Sequence, residues 1–320
     1  MSSDVAAIAD FCKKWRLTPS VTKTVSSIFH LDNKQARNQI NIDMDGKRVA
    51  HDPYPVYLGV TLDRSLTFKH HATKTAAKIK TRNNLLAKLA GTTWGASVKI
   101  LRPAALALCY SVAEYCAPAW GRSTHTKMVD CQLNESMRII SGTIRPTQLN
   151  WLPVLSNIAP PACRRLEVTA KLINQVERNP SLPIYSDIFN HPKSRLSSRH
   201  PIWSVSTDVT AAALWREKWE ADPPSNSSLI VDPVEGVPGV DLPRREWCLL
   251  NRFRTGAGQC AASLHKWGYK DSPLCSCGEI QTMTHIIEDC RLFSFAGGLR
   301  ALHSASESAV DWLRRVSCIR

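Results

Sequence analysis

The sequence contains no apolar run long enough to cross a lipid bilayer. Its longest apolar stretch, ALALCYSVAEYCAPAW, is interrupted by Glu114 and is shorter than a membrane-spanning helix. The N-terminus also lacks a basic lead followed by an apolar segment, so no secretory signal peptide is predicted. We therefore expect an intracellular protein, located in the nucleus, the cytoplasm or both, without a membrane partner.

The eleven cysteines do not indicate a disulfide framework. Their number is odd, and eight of them are scattered along the chain. In a reducing compartment, scattered cysteines of this kind are typically free thiols in the core. The eight are Cys12, Cys109, Cys116, Cys131, Cys163, Cys248, Cys260 and Cys318.

The charge balance indicates a polyanionic partner. The 41 basic residues outnumber the 27 acidic ones and give a formal net charge of +14. Such an excess is typical of proteins that bind nucleic acid or an anionic membrane surface. Because no membrane segment is predicted, nucleic acid is the preferred partner. Apolar residues make up 43% of the chain, which excludes a chain that is disordered throughout.

Acidic residues are absent between Arg64 and Arg102, where nine basic residues occur. The stretch HHATKTAAKIKTRNNLLAKLAG predicts a helix in which basic residues repeat every four positions on one face. Like charges four residues apart weaken a helix, so a bound anion would relieve a real cost. A solvated helix face is the alternative, but the absence of carboxylates favours nucleic-acid binding. The predicted binding residues are Lys69, Lys74, Lys78, Lys80 and Arg82.

The stretch CSCGEIQTMTHIIEDC groups three cysteines and one histidine within sixteen residues. Zinc prefers thiolate and imidazole ligands in tetrahedral sets, and three cysteines with one histidine form one such set. We predict one structural Zn²⁺ per chain. The predicted ligands are Cys275, Cys277, His285 and Cys290.

The spacing of the last two ligands is awkward for a regular helix. Cys290 follows His285 by five residues, whereas positions four apart share a helix face. We therefore expect the helix to fray or tighten before Cys290, and Asp289 is the alternative fourth ligand. Two free cysteines beside a core histidine are the alternative to a metal site. If the metal is real, it folds the C-terminal part, since structural zinc supplies about 10–16 kcal/mol of apparent binding free energy.

The pattern of elements predicts an α+β fold in four parts. Residues 1–63 combine one helix with antiparallel strands, and residues 64–178 form a helical bundle. Residues 179–243 are a Pro-rich connector, and residues 244–320 form a helical module that contains the Cys/His cluster. One helix, over HTKMVDCQLNESMRIISG, is stopped by Gly142, and LPRREWCLLNRFRTGAGQC begins with an amphipathic helix.

Strand patterns are confined to the first part of the chain. TVSSIFHL and YLGVTLD each predict a strand, and INIDMDGKRVA predicts a hairpin that turns at Asp45 and Gly46. Asp43 and Asp45 could form a carboxylate pair for a metal, but their position beside the turn makes turn chemistry the better explanation.

Several long blocks, in their order along the chain, resemble the C-terminal part of reverse transcriptases from jockey-like non-LTR (LINE-type) retrotransposons. FCKKWRLTPSVTKTVSSIF and YLGVTLD are similar to the end of the palm in these enzymes. KTAAKIKTRNNLLAKLAGTTWGASVKILRPAALALCYSVAEYCAPAWGRSTHT is similar to their thumb, and LNRFRTGAGQC with the Cys/His cluster is similar to their C-terminal module. The resemblance implies a small palm remnant, a thumb bundle and a zinc-knuckle-like module of an RNA-directed DNA polymerase.

The resemblance also implies roles for individual residues. Lys23 falls at the palm lysine that is proposed to protonate the pyrophosphate leaving group, although the family more often has Asn where Ser20 stands. The basic helix would follow the template–primer backbone, and the Cys/His module would help to bind RNA or target DNA. The primer grip, which holds the primer end, would be formed by Tyr57, Leu58, Gly59 and Val60.

The catalytic aspartates of such polymerases have no counterpart in the sequence. These enzymes need magnesium-binding aspartates, two of them adjacent on a palm hairpin, and no Asp-Asp dipeptide occurs. We therefore expect a truncated fragment that binds an RNA template, a DNA target or an RNA–DNA hybrid, without polymerase chemistry or catalytic Mg²⁺ of its own. It could associate with the full-length element protein. The alternative is a domesticated, zinc-stabilised nucleic-acid-binding or scaffold protein with no enzymatic role.

Overall fold

The computed structural model describes residues 2–44, 46–190, 198 and 200–316. They form a mixed α+β structure in which helices dominate and strands are short. This confirms the predicted fold class. None of the helices in these ranges is both long and apolar enough to cross a bilayer.

The N-terminal part contains one helix and several two-residue strands. The elements are α1 (Ser2–Lys14), β1 (Val25–Ser26), a 3₁₀ turn (Gln35–Arg37), β2 (Asp43–Met44), β3 (Lys47–Arg48), β4 (Ala50–His51), β5 (Val56–Tyr57) and β6 (Val60–Thr61). The strands form three separate ladders. β2 pairs with β3 and β5 with β6 in antiparallel fashion, whereas β1 pairs with β4 in parallel. The parallel pair departs from the predicted antiparallel strands.

The hairpin predicted at Asp45 and Gly46 is confirmed, because Met44 pairs with Lys47 across these two residues. Asp45 itself lies outside the described residues, so the possible carboxylate pair with Asp43 is not described. The strand predicted over TVSSIFHL is much shorter than expected and covers Val25–Ser26 alone. A run of β-branched residues marks a strand but does not define its length.

The single strand predicted over YLGVTLD is wrong. The chain reverses at Leu58 and Gly59, so that Tyr57 pairs with Val60. Both turn residues have positive φ, 45° for Leu58 and 80° for Gly59. Positive φ at both central positions is typical of the tight two-residue hairpin turn, and Gly59 supplies it without strain. The phenolic hydroxyl of Tyr115 donates to the Leu58 carbonyl (2.9 Å) and holds the turn against the helical part.

The middle of the chain forms a helical bundle around one hydrophobic core. Two long helices, Lys69–Leu89 and Lys127–Ser141, pack along each other, and both lie where the sequence predicted them. The inner face of the helix Lys69–Leu89 buries Ala72, Ile79 and Leu86, as its periodicity predicted. The helices are α2 (Lys69–Leu89), α3 (Val98–Ala105), α4 (Ser111–Glu114), α5 (Ala117–Trp120), α6 (Lys127–Ser141), α7 (Trp151–Ser156) and α8 (Pro161–Glu177); the long pair is α2 and α6.

The helix predicted over residues 96–121 is interrupted twice. Pro103 lies inside α3, where it has no N–H to donate to the preceding turn. The segment Leu106–Tyr110 then widens into a π-helix before α4 begins. A second break follows at Cys116, which takes a positive φ of 51° before α5. Apolar periodicity predicted helical backbone here but not these local irregularities.

The last 140 residues add shorter elements. They are α9 (Tyr185–Phe189), a 3₁₀ turn (Ile202–Ser204), α10 (Ala211–Ala221), a second 3₁₀ turn (Ser227–Leu229), α11 (Arg244–Arg254), α12 (Ala261–Lys266), a π-helical turn (His285–Asp289), α13 (Gly298–His303) and α14 (Glu307–Arg315). α11, α13 and α14 pack together around a second hydrophobic core.

The amphipathic helix predicted here is present as α11, but its polar side chains are buried as well as its apolar ones. Trp247 and Cys248 pack in the bundle core, whereas Leu250 and Phe253 pack in the second core. The helix therefore joins the two cores, and each of its faces is covered by a different part of the protein. The division of the chain into four domains stays a prediction.

Arg254, at the end of α11, is fully buried. Its guanidinium donates to the carbonyl oxygens of Pro238 (2.7 Å) and His303 (2.9 Å) and to the side-chain oxygen of Asn251 (3.0 Å). Burial lowers the pKa of Arg254 to about 9, which still leaves it charged at neutral pH. A buried charge costs free energy unless hydrogen bonds compensate for it, so this network ties the connector, α11 and α13 together.

His303 completes this network and makes the fold sensitive to acid. Its Nδ1 accepts a hydrogen bond from Nε of Arg254 (3.0 Å), which requires the imidazole to be neutral. Burial and the charge of Arg254 lower the pKa of His303 to about 4 from 6.5. Between these values the unfolded state binds more protons than the folded state. Stability due to neutral His303 is therefore complete above about pH 6.5 and is lost as pH falls toward 4.

We expect His303→Gln to flatten the stability–pH profile between pH 6.5 and 4, because Gln accepts the same hydrogen bond but does not titrate. Urea unfolding of both chains over this range, with zinc in excess, measures the difference. His265→Gln is the matched control, because His265 is exposed and lies outside the hydrogen-bond network of Arg254. If His303→Gln kept the wild-type slope, the acid sensitivity would have to come from other groups.

Candidate metal centre and basic surface

Cys275, Cys277, His285 and Cys290 come together in the C-terminal part of the fold. One ligand atom from each, a sulfur or a ring nitrogen, lies within 4.8 Å of all the others. Across the described ranges, this is the one group of three or more His, Cys, Asp or Glu side chains that could hold a metal ion. Three of the four residues are buried and Cys277 is half-buried.

The first two cysteines lie on the tip of a tight turn. The N–H of Cys275 donates to the Glu279 carbonyl (2.7 Å), and the N–H of Gly278 donates to the Cys275 carbonyl (2.9 Å). These bonds close the turn between Leu274 and Ile280, which pair with each other in an isolated antiparallel β-bridge. The backbone therefore holds both cysteines on one turn.

Two distances between the candidate ligand atoms are close to those around a tetrahedral ion, while the four atoms together lie within 4.8 Å of one another. The sulfurs of Cys275 and Cys290 are 3.7 Å apart, far longer than the ~2.05 Å of a disulfide bond. A tetrahedral zinc with Zn–S bonds of about 2.3 Å separates two sulfurs by about 3.8 Å. The sulfur of Cys277 lies 3.2 Å from Nε2 of His285, slightly shorter than the roughly 3.5 Å that the same geometry gives for sulfur and nitrogen. Small side-chain movements would admit the ion.

The helix between His285 and Cys290 neither frays nor tightens, so that prediction is wrong. It widens into a π-helical turn, in which the N–H of Cys290 donates to the carbonyl of His285 (2.8 Å). A π-turn closes over five residues rather than four, and this places Cys290 on the same side as His285. Asp289, the alternative ligand, is exposed and lies outside the cluster.

The environment of Cys275 favours its thiolate, which is the form that binds metal. Burial alone would raise the pKa of this thiol. Hydrogen bonds from the Cys277 amide and the Gln281 side chain, together with His285 and Cys290, outweigh burial and lower the pKa to about 6. Burial raises the pKa of Cys290, so a cation is needed to hold both sulfurs as thiolates.

Gln281 orients the site and was missed in the sequence. It is buried, its Nε2 lies 3.4 Å from the Cys275 sulfur, and its Oε1 accepts from the Ala261 N–H (2.8 Å). Residues behind metal ligands commonly fix their orientation in this way. No ligand spacing marks Gln281, because its role depends on the fold that brings α12 against the turn.

Apolar side chains anchor the π-turn in the second core. Ile286 and Ile287, which follow the candidate ligand His285 directly, are fully buried there beside Met283. The aromatic rings of Phe253 and Trp312 lie in the same core, with centroids 5.1 Å apart. The cluster is therefore part of the folded C-terminal region and not an isolated loop.

The basic surface lies on the outward side of α2. Arg82 is half-buried there, and its guanidinium donates to the Leu108 carbonyl. The ammonium of Lys74 lies 3.3 Å from the hydroxyl of Thr61. Because the opposite side of α2 packs along α6, the surface is held rigidly. The four exposed cations are Lys69, Lys74, Lys78 and Lys80.

The residues matched to the palm lysine and primer grip lie in the N-terminal part. Lys23 is exposed in a turn whose N–H groups bond back to Ser20. Tyr57 and Leu58 are strongly exposed, while Val60 is buried. The hairpin thus presents its tip to solvent, beside the start of α2. Their roles in binding a primer stay predictions.

Comparison with known proteins indicates the origin of the chain. Over 313 residues it is 22% identical to a protein of Nasonia vitripennis described as a retrovirus-related Pol polyprotein from type-1 retrotransposable element R1 4. The match covers 91% of the chain and 77% of that protein. No family model and no solved structure matches the chain. The similarity supports a retrotransposon-related origin.

Proposed function

We propose that the chain is a fragment of a non-LTR retrotransposon reverse transcriptase that binds RNA, DNA or their hybrid. The observation that carries this proposal is the set of exposed lysines on α2, in which Lys74 and Lys78 share one side of the helix and Lys69 and Lys80 another. The similarity to a retroelement Pol polyprotein supports the same class of partner. In this reading the described helices α2 to α6 are the thumb, and the N-terminal ladders are the end of the palm.

The charge pattern of α2 favours binding to a phosphate backbone over a helix face that is merely solvated. Lys74, Lys78 and Arg82 are successive residues of one helical row, and no acidic residue occurs between Asp63 and Glu114 to balance them. Their mutual repulsion destabilises free α2, and a row of phosphates would turn this cost into binding free energy. Phosphate contacts give affinity without sequence preference.

The Cys/His cluster would add a second contact to nucleic acid. We propose that Zn²⁺ occupies it, because three thiolates and one imidazole are a ligand set that zinc favours. The ion would hold the turn at Cys275 and Cys277 against the π-turn and so fix the exposed residues around them. Lys23 and the hairpin tip at Tyr57 and Leu58 would face the primer end, in the positions that the family resemblance implies.

We expect the triple variant Lys74→Gln, Lys78→Gln and Arg82→Gln to weaken binding to duplex about ten- to a hundredfold at 0.1 M salt. With about six phosphate contacts, log affinity should fall with log salt at a slope near −5, and each lost contact removes roughly 0.9 from it. Because Arg82 is partly engaged by Leu108, the slope should fall by about 2 to 3. Fluorescence anisotropy at several salt concentrations measures both quantities.

The matched control is Lys13→Gln, Lys14→Gln and Arg16→Gln, which removes the same charge from exposed positions at and just beyond the end of α1. This control should bind nearly as tightly as the wild-type chain. An equal loss in both triple variants would mean that net charge, and not the α2 surface, attracts the ligand. A loss confined to one nucleotide sequence would contradict backbone contact.

A further inference from the structure

Trp94 is the most exposed of the ten tryptophans. It lies in the short loop between α2 and α3, and 74% of its surface is open to solvent. Six other tryptophans are buried in the hydrophobic cores, as expected for the largest apolar side chain. An indole this exposed presents a flat apolar surface that is free to contact a ligand.

The indole of Trp94 is held in place by two glycines. A Cβ atom at Gly91 would lie only 2.5 Å from Cε2 of Trp94, so the ring rests directly on the Gly91 backbone. The N–H of Gly95 donates to the Gly91 carbonyl (2.8 Å), and the N–H of Ala96 donates to the Leu89 carbonyl (2.8 Å). These bonds close the loop. The ring is therefore prepositioned, and a ligand would lose little conformational entropy in meeting it.

Trp94 lies beyond the end of the cationic row of α2. Leu85 and Leu89 follow Arg82 by three and seven residues, which places them on the same side of the helix. Both are about half exposed. Lys88, in the last helical turn, is exposed as well. A polyanion that follows Lys74, Lys78 and Arg82 along α2 would thus pass over apolar side chains and reach the loop.

We propose that Trp94 stacks on an unpaired nucleobase of a single-stranded segment whose phosphates follow α2. This inference rests on the proposed function. Every base has a planar face, so stacking on an aromatic ring tolerates any sequence. Bases in a duplex are covered by their neighbours on both faces and offer no such surface. The exposed lysines of α2, of which Lys88 is the last before the loop, favour this ligand over an apolar protein segment, which would gain nothing from them.

The test compares Trp94→Ala and Trp94→Phe on a single-stranded oligonucleotide and on a duplex of the same length. We expect Trp94→Ala to weaken single-strand binding roughly tenfold and to leave duplex binding unchanged. The salt slope should not change, because no phosphate contact is lost. Trp94→Phe should keep most of the affinity, since it keeps a flat ring. The control is Trp15→Ala on the N-terminal side, where 62% of the side chain is exposed.

The outcomes separate this inference from the proposed function. Normal duplex binding with unchanged single-strand affinity in Trp94→Ala would overturn the stacking and leave the proposed function intact. The stacking would also be overturned if Trp94→Ala lost equal affinity for the single strand and the duplex. The same holds if Trp15→Ala lost as much single-strand affinity as Trp94→Ala. Failure of the wild-type chain to bind either ligand would remove both proposals. If sedimentation showed that Trp94→Ala dissociates a dimer, the ring would instead be a contact between copies.

Discussion

A chain that carries both Cys275→Ser and Cys277→Ser should retain no stoichiometric zinc, whereas the wild-type chain should hold one ion. The two changes remove half of the ligand set, and the oxygen of Ser is a poor replacement for a thiolate. The remaining His285 and Cys290 would bind zinc too weakly to survive dialysis. Metal analysis of the dialysed proteins by mass spectrometry gives the result directly.

The same variant should lose the fold of its C-terminal region. Structural zinc supplies about 10–16 kcal/mol of apparent binding free energy in small zinc modules, which is comparable with the whole net stability of a typical domain, about 5–15 kcal/mol. Without the ion, nothing would hold the turn at positions 275 and 277 against His285 and Cys290. Hydrogen exchange should then increase around the π-turn at His285–Asp289, while α2 and α6 stay protected.

Cys116→Ser and Cys131→Ser together form the matched control, because both thiols are exposed and lie outside the cluster. This control should bind one zinc and keep its C-terminal fold. Unchanged zinc content in the variant lacking Cys275 and Cys277 would eliminate the proposed site. If the variant lost its zinc without any change in hydrogen exchange, the second hydrophobic core would be sufficient by itself to keep the C-terminal region folded.

The grouping of the four candidate ligands could be predicted from the sequence, but the way in which the backbone presents them could not. Residue type and close spacing were enough to choose Cys275, Cys277, His285 and Cys290, and the structure brings these side chains together. The five-residue step to Cys290 admits several local solutions, and the observed π-turn depends on Ile286 and Ile287 being buried in the second core. That burial depends on contacts with distant parts of the chain, so it cannot be inferred from residues 275–290 alone.

The fold shows the same division between local and long-range information. The periodicity of α2 and the stop signal of α6 at Gly142 are local and were predicted correctly. α11 was predicted to be amphipathic, yet its polar residues Arg244, Arg252 and Arg254 are buried. The guanidinium groups of Arg244 and Arg252 donate to the carbonyl oxygens of Ile140 and Gly142 at the end of α6. A partner that lies a hundred residues away in sequence cannot be read from the helix pattern.

Gly142→Ala should destabilise the protein by about 2–5 kcal/mol, because Gly142 is the point where α6 ends against α11. It has a positive φ of 68°, which costs an L-residue roughly 1–2 kcal/mol. An added Cβ atom would also lie 2.0 Å from the sulfur of Cys248 and 2.8 Å from its Cβ. Cys248 is buried and cannot move aside without disturbing α11, and such overpacking costs roughly 1–3 kcal/mol. Equilibrium urea unfolding measures the total.

Two comparisons separate the backbone strain from the steric clash. Gly268→Ala has a similar φ of 77° but nothing within 4 Å of the added atom, so it should show the strain alone. Cys248→Ala introduced together with Gly142→Ala removes the clashing sulfur and should recover part of the loss. If Gly142→Ala cost no more than Gly268→Ala, α11 would not pack tightly on the end of α6. We expect the opposite result. The side-chain amide of Asn251 donates to the Ser141 carbonyl (2.9 Å) and fixes α11 against this end of α6. The added methyl group therefore has no free space to occupy.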